Sequence, residues 1–150
     1  MKILPALALL LGSLSVGCAS VSSLPATAVE APFSSGVEGK TGWSAYREEA
    51  RFTDVTIESV FQAAKAGLGA ADFALRRASL AAGVAVGEHG MTLHDWNVIA
   101  AVYFRQDDNA VLVLVMVEGS KDIGFSGDVT SGGWTGRILN GMREYLKRPD

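Results

Sequence analysis

Few side chains in this 150-residue sequence have the chemistry of a metal or catalytic site. The two histidines, His89 and His94, each lie beside an acidic residue, Glu88 and Asp95 respectively. Imidazole nitrogens and carboxylate oxygens are common ligands of transition metals. Their spacing matches no standard zinc motif, however, and two solvated or backbone-bonded histidines account for the same pattern. We therefore predict no cofactor and keep His89, His94 and Asp95 only as metal-ligand candidates.

One serine lies in a segment that partly matches a hydrolase motif. Ser126 stands in the run Gly-Phe-Ser-Gly-Asp, but the nucleophile elbow needs glycine two places after the serine, where this chain has Asp128. A triad of Ser126, His94 and Asp95 can be written down, yet no other feature favours it. We predict no catalytic residue and a protein that is not an enzyme.

The only cysteine, Cys18, follows an N-terminal segment that is typical of an export signal. Lys2 supplies a positive charge, residues 3–11 are apolar except for Pro5, and small residues precede the cysteine. The stretch from residue 3 to residue 16 is shorter than the roughly 20 apolar residues that a membrane-spanning helix needs. It therefore predicts export rather than a transmembrane anchor.

This arrangement resembles the signal peptide of bacterial lipoproteins, in which the cysteine is acylated and becomes the first residue of the mature protein. Val16, Gly17 and Cys18 fit that pattern, whereas Ser15 stands where the family usually has leucine. The resemblance implies cleavage after residue 17 and three acyl chains on Cys18. Because no aspartate follows the cysteine, it also implies the periplasmic face of the outer membrane. A plain secretory cleavage site is the alternative.

Composition narrows the class of partner. The chain has 13 Lys and Arg against 16 Asp and Glu, a net charge of −3. Nucleic-acid binding depends on basic side chains that neutralise phosphates, so we predict no nucleic-acid partner. A single cysteine permits no internal disulfide, so the fold must rest on its apolar core. We expect the membrane, through the lipid anchor, and an envelope protein as partners; the oligomeric state is not predicted.

The chain divides into three parts. Residues 1–17 form the predicted signal peptide. Residues 18–43, which contain the lipidated cysteine, are rich in Ser, Ala, Gly and Pro and show no hydrophobic period. That composition predicts a flexible tether, with an r.m.s. span on the order of 25–30 Å. Residues 44–150 are predicted to form a single domain.

Hydrophobic periodicity within 44–150 predicts the order strand, helix, four strands, helix. Thr56 can cap a first helix, and Trp134, Ile138 and Met142 form the apolar stripe of a second one. The segments 96–106 and 110–118 alternate around an Asp-Asp-Asn turn, which predicts a hairpin. We predict an α+β two-layer sandwich, with an antiparallel sheet of about four to five strands and two helices on one face.

This element order resembles small domains of envelope lipoproteins. The first helix leads into Ala-Ala-Asp-Phe-Ala-Leu at residues 70–75, a pattern found in such domains. Similar helix-grip modules build the C lipoprotein of the outer-membrane β-barrel assembly machine. The resemblance implies a binding or accessory role and transfers no functional residue.

The predicted hairpin is apolar on both faces, although the helices can bury only one of them. An uncovered apolar face commonly marks a binding site. A second copy, another protein, a lipid or the tether folded back could cover it, or the domain could bury both faces. Our first hypothesis is a non-enzymatic accessory or scaffold subunit. The alternatives are a binder of a small apolar ligand or lipid, and a hydrolase or metal-binding protein using the His89/His94 region. The candidate docking surface comprises Tyr103, Leu112, Leu114 and Met116.

Overall fold

The computed structural model describes residues 20–34, 39–40, 45–90, 97–119 and 133–148. The described residues form one antiparallel sheet in the order β1-β2-β6-β5-β4-β3. Two helices pack on one face of this sheet. The strands are β1 Gly39–Lys40, β2 Ala45–Thr53, β3 Ala74–Ser79, β4 Val84–His89, β5 Val98–Asp107 and β6 Ala110–Gly119, and the helices are α1 Ile57–Ala70 and α2 Gly133–Leu146.

The predicted fold class is confirmed. Apart from the two-residue β1, the elements follow the predicted order β-α-β-β-β-β-α, and both helices share one face of the sheet. None of the helices in the described part of the chain is long and apolar enough to cross a bilayer.

The β5–β6 hairpin forms the centre of the sheet. Its register runs from Val98 opposite Gly119 to Asp107 opposite Ala110. The turn uses Asp108 at φ 48°, a left-handed conformation that aspartate tolerates better than most residues. Side chains alternate between the two faces along each strand, and most of them are apolar. The hairpin therefore has to be covered on both sides.

Helix α1 begins at a reciprocal cap. The Ser59 amide donates to the Thr56 hydroxyl, and the Thr56 amide donates to the Ser59 hydroxyl, which satisfies two backbone donors at the helix start. The helix buries Val60, Ala64 and Leu68 against the sheet. The cap and the apolar stripe together place α1 over the sheet, as the sequence pattern predicts.

Two glycines let α1 and α2 approach closely. A Cβ at Gly67 would lie 2.6 Å from the Ile138 carbonyl oxygen, and one at Gly141 would lie 2.8 Å from the Ala70 Cβ. The sequence pattern alone suggests that Gly67 and Gly69 end the helix. For Gly67 this is wrong, because α1 continues to Ala70 and Gly67 is instead the contact point with α2.

The folded unit begins well before residue 44, so the predicted domain boundary needs correction. Leu24, Ala28 and Ala31 are buried against the sheet, and β1 pairs with β2. The prediction of a flexible tether is therefore wrong for residues 20–34. These residues pack through single apolar side chains spaced along irregular backbone, so they show no helical or strand period in the sequence.

The glycine contact between the helices yields a stability prediction. Replacing Gly67 by Ala should destabilise the fold by about 1–3 kcal/mol, because the new methyl overlaps the α2 backbone. Gly69→Ala is the matched control. A Cβ there meets no described atom within 4 Å, so it should be neutral or stabilising by up to about 1 kcal/mol. Denaturant unfolding of the two variants measures this difference, and equal midpoints would rule out the proposed close approach.

Candidate functional site

The second face of the sheet is covered by residues 20–34 of the same chain, which we call the strap. Its buried residues contact alternate side chains of the three central strands, all of them apolar. Because these side chains point away from α1 and α2, the strap is what removes them from water. The cluster comprises Leu24, Ala28, Ala31, Val84, Val86, Ile99, Ala101, Tyr103 and Leu114.

The strap starts at one end of the sheet, which we call the entry end. Here β4 ends at His89, β5 begins at Val98 and β6 ends at Gly119. A short 3₁₀ turn over Val21–Ser23 is capped by the Ser20 hydroxyl. The Ser23 hydroxyl donates to the Glu118 carboxylate at 2.7 Å. The first described residues of the chain are thus hydrogen-bonded to the C-terminal end of β6.

From the entry end the strap crosses the sheet face. The Tyr103 hydroxyl, on the middle of β5, donates to the Pro25 carbonyl at 2.9 Å. Further along, the Ala28 amide donates to the Ala82 carbonyl at 2.8 Å, in the turn between β3 and β4. Both bonds join irregular strap backbone to the rigid sheet and satisfy polar groups that would otherwise be buried without partners.

The strap then returns toward β2. The Arg105 guanidinium lies 4.5 Å from the centre of the Phe33 ring, a cation–π contact. The Ser34 amide donates to the Glu49 carboxylate at 2.6 Å. Contacts to β2, β4, β5 and β6 therefore hold the strap along its length.

A glycine makes room for the strap. Gly83 has φ +63°, and a Cβ there would lie 2.5 Å from the Phe104 carbonyl oxygen and 2.8 Å from the Ala28 Cβ. The Phe104 amide in turn donates to the Gly83 carbonyl at 2.9 Å. Both the left-handed conformation and the close contacts require glycine at this position.

The strap covers much of the predicted docking surface. Tyr103 and Leu114 are fully buried beneath the strap, and Met116 is half-buried against it; Leu112 is also half-buried. This corrects the expectation of an accessible surface at Tyr103 and Leu114. Among the coverings considered for this face, the folded-back N-terminal segment is the one that the structure contains.

Among the described residues, the candidate histidine His89 lies in an aromatic cluster. Its ring centre is 4.9 Å from that of Trp134 and 5.9 Å from that of Phe73. Its neighbour Glu88 accepts instead from Arg76 at 2.8 Å. Within the described residues, no group of three or more His, Cys, Asp and Glu side chains could hold a metal ion.

Two nitrogens of this cluster have no hydrogen-bond partner in the described part of the chain. They are His89 Nδ1 and Trp134 Nε1, and both atoms are buried. The indole N–H can only donate, so it needs an acceptor oxygen. Buried polar atoms without partners are rare in folded proteins. Sequence patterns did not single out Trp134 as more than a core residue.

The remaining candidates lie outside the described residues: Cys18, His94, Asp95 and Ser126. The metal site at His94 and Asp95, and acylation of Cys18, stay predictions.

Strand β3 forms one exposed edge of the sheet. Five of its six residues are exposed, including Leu75 at 47%. Its register with β4 shifts between Leu75 and Arg77. Backbone groups on the outer side of an edge strand can pair with an added strand, and charged side chains at such an edge limit indiscriminate pairing. Within the described residues, β3 is thus an edge of the sheet where a further strand could pair.

Comparisons with known proteins give no family assignment. No protein-family model matches the chain, and no curated protein matches it closely enough to count as a relative. Among solved structures, TTHA0849 from Thermus thermophilus is 12% identical with a TM-score of 0.42, over 68% of this chain and 96% of that chain. A Thermobifida fusca protein solved by NMR is 11% identical with a TM-score of 0.43, over 72% of this chain and 98% of its own. Ara h 8.0201 is 11% identical with a TM-score of 0.40, over 69% and 98%. Likenesses at this level carry no argument about function.

The packing of the strap yields a prediction on stability. Leu24 is only 5% exposed, so Leu24→Ala should cost about 2 kcal/mol of unfolding free energy. Val29, in the same segment, is 94% exposed, and Val29→Ala should change stability by less than about 0.5 kcal/mol. Chemical unfolding of the purified variants gives both values. If the segment were flexible, neither substitution would change the free energy of unfolding.

Tyr103 yields a prediction on alkaline pH. Burial raises the pKa of its phenol well above the ordinary value of about 10. Its folded-state proton is therefore retained while the unfolded chain ionises, so stability is unaffected by this group below about pH 10 and falls above it. Above about pH 10, this ionisation lowers the free energy of unfolding by up to about 1.4 kcal/mol per pH unit, and Tyr103→Phe should remove that decrease.

The control for this experiment is Tyr145→Phe, since Tyr145 is exposed on α2. That variant should keep the wild-type slope of stability between pH 10 and 11, measured by urea unfolding. Parallel slopes for the wild-type protein and Tyr103→Phe would show that the buried phenol does not control the alkaline limit.

Proposed function

We propose that this protein is a membrane-anchored envelope lipoprotein of non-enzymatic type, which acts as an accessory or scaffold subunit. The observation that carries the proposal is the position of Cys18. It ends a segment that resembles a lipoprotein signal, and it lies two residues before Ser20, where the strap begins. The site of acylation is thus directly joined to the fold.

The anchor must come from acyl chains rather than from surface charge. Cleavage after residue 17 removes Lys2 and no acidic residue, so 12 basic residues face 16 acidic ones, a net charge of 12 − 16 = −4. Such a chain has little electrostatic attraction to anionic lipid. One acyl chain binds a bilayer only marginally, whereas two or more anchor stably. The three chains implied by the lipoprotein resemblance would hold the domain at the periplasmic face of the outer membrane.

The edge of β3 is the surface that best fits an accessory role. The strap occupies the apolar face of β4 to β6, and the helices occupy the other face. Strand β3 carries exposed Leu75 and exposed Arg77. A strand from a partner could extend the sheet there, with confinement to the membrane raising the local concentration of both proteins.

A second candidate function is the binding of a small ligand or lipid that carries an acceptor oxygen. The unpartnered nitrogens of His89 and Trp134 favour it, since an acceptor oxygen of the ligand would satisfy the indole N–H. Native mass spectrometry of protein extracted from membranes would show such a ligand as a retained mass that Trp134→Phe abolishes.

Acylation is tested by fractionating cells and measuring the N-terminal peptide. The wild-type protein should be found in the membrane fraction with a peptide that begins at Cys18 and carries fatty acyl chains. Cys18→Ser should release the domain from that fraction without changing its fold. Ser15→Leu, which supplies the residue that the family usually has, is the control and should stay membrane-bound. An unmodified wild-type peptide starting elsewhere would remove the proposal.

A further inference from the structure

We propose that the strap docks the entry end of the sheet against the lipid headgroups, so that the domain lies on the membrane in one orientation instead of standing off on a tether. This inference rests on the proposed acylation of Cys18. It adds what acylation alone does not supply: which surface of the domain faces the bilayer.

The argument starts from chain length. Cys18 and Ser20 are separated by two residue steps, which span at most about 7 Å when fully extended. Ser20 is tied to Ser23 by a backbone bond of 2.8 Å, and Ser23 is bonded to Glu118 at the entry end. An acyl group on Cys18 therefore has to enter the bilayer close to that end.

The strap cannot leave the sheet to relax this constraint without exposing apolar surface. Releasing it would uncover Leu24, Ala28 and the β5 face that includes Tyr103, and it would break the Tyr103–Pro25 bond. Apolar area returned to water costs roughly 25 cal/mol per Å². A free segment over 18–43 would instead give a stand-off on the order of 25–30 Å and no preferred orientation.

Among the described charged groups at the entry end, Glu88 is paired with Arg76, whereas Glu118 accepts from the neutral Ser23 hydroxyl and so keeps its negative charge. An unneutralised carboxylate is repelled by anionic lipid. We therefore commit to a zwitterionic headgroup layer as the surface that the entry end meets.

The lone native cysteine makes the test direct. Once Cys18 is acylated, a single introduced cysteine is the only thiol available for a fluorophore. Gly90→Cys places the label at the entry end, just after β4, where a Cβ meets no described atom within 4 Å. Asn109→Cys places it on the exposed β5–β6 turn. Because β5 runs from Val98 to Asp107, the two labels lie about 30 Å apart along the sheet.

The lipidated, labelled proteins are reconstituted into phosphatidylcholine–phosphatidylethanolamine vesicles that carry nitroxide-labelled headgroups. The label at position 90 should be quenched several-fold more than the label at position 109. Equal quenching of the two labels, or stronger quenching at 109, overturns the orientation. Failure of the protein to carry acyl chains or to float with vesicles would count against the proposed function instead, so the two failures are distinct.

A strap variant tests the cause of the orientation. Leu24→Asp should loosen the strap and bring the two quenching values together while the protein stays vesicle-bound and its sheet stays folded by circular dichroism. Val29→Asp, at the exposed strap position, should keep the several-fold difference. If the difference survives Leu24→Asp with the strap open to protease, the strap does not set the orientation.

Discussion

The structure depends on one constraint: the central β5–β6 hairpin is apolar on both faces. Val113 and Val115 face the helices, and Leu114 between them faces the other way. A single layer of helices leaves half of this surface in water, which is unfavourable in proportion to the apolar area exposed. The chain meets the constraint with two coverings of different kinds. Two helices bury one face, and an irregular segment from before the first strand buries the other.

The two coverings use glycine where backbones must come close. Gly67 lets α1 and α2 approach over one face, and Gly83 lets the strap approach the β3–β4 turn over the other. The strap also brings the N-terminal part of the chain onto the sheet, with its first turn bonded to Glu118. Anchoring at Cys18, if it occurs as we propose, is therefore coupled mechanically to the core of the domain rather than separated from it by loose chain.

Much of the fold follows from the periodicity of the sequence. The alternation in β5 and β6, the Thr56 cap and the stripe of α2 each predict the element that is present, because regular structure repeats its burial pattern along the chain. The strap has no such repeat. Leu24, Ala28 and Ala31 stand among serine, proline and alanine, and their burial depends on an apolar sheet face that is distant in sequence. The excess of apolar residues on that face was the one available signal that something had to cover it.

The candidate site was predicted less completely than the fold. Tyr103 and Leu114, which were predicted to be part of a docking surface, are buried beneath the strap, because residue types alone could not show that the chain itself covers this face. The aromatic environment of His89 depends on Phe73 and Trp134, which come from different elements, so sequence spacing could not reveal it. Cys18, His94 and Asp95 lie outside the described residues, so their roles rest on sequence.

The central claim is that residues 20–34 belong to the folded domain. Amide hydrogen exchange in the purified protein tests it most directly, at the Ala28 amide that donates to Ala82. The account predicts exchange at Ala28 that is slower by orders of magnitude than in an unstructured peptide, since the bond opens only when the strap leaves the sheet. Exchange at the unstructured rate, with β5 and β6 still protected, would contradict it.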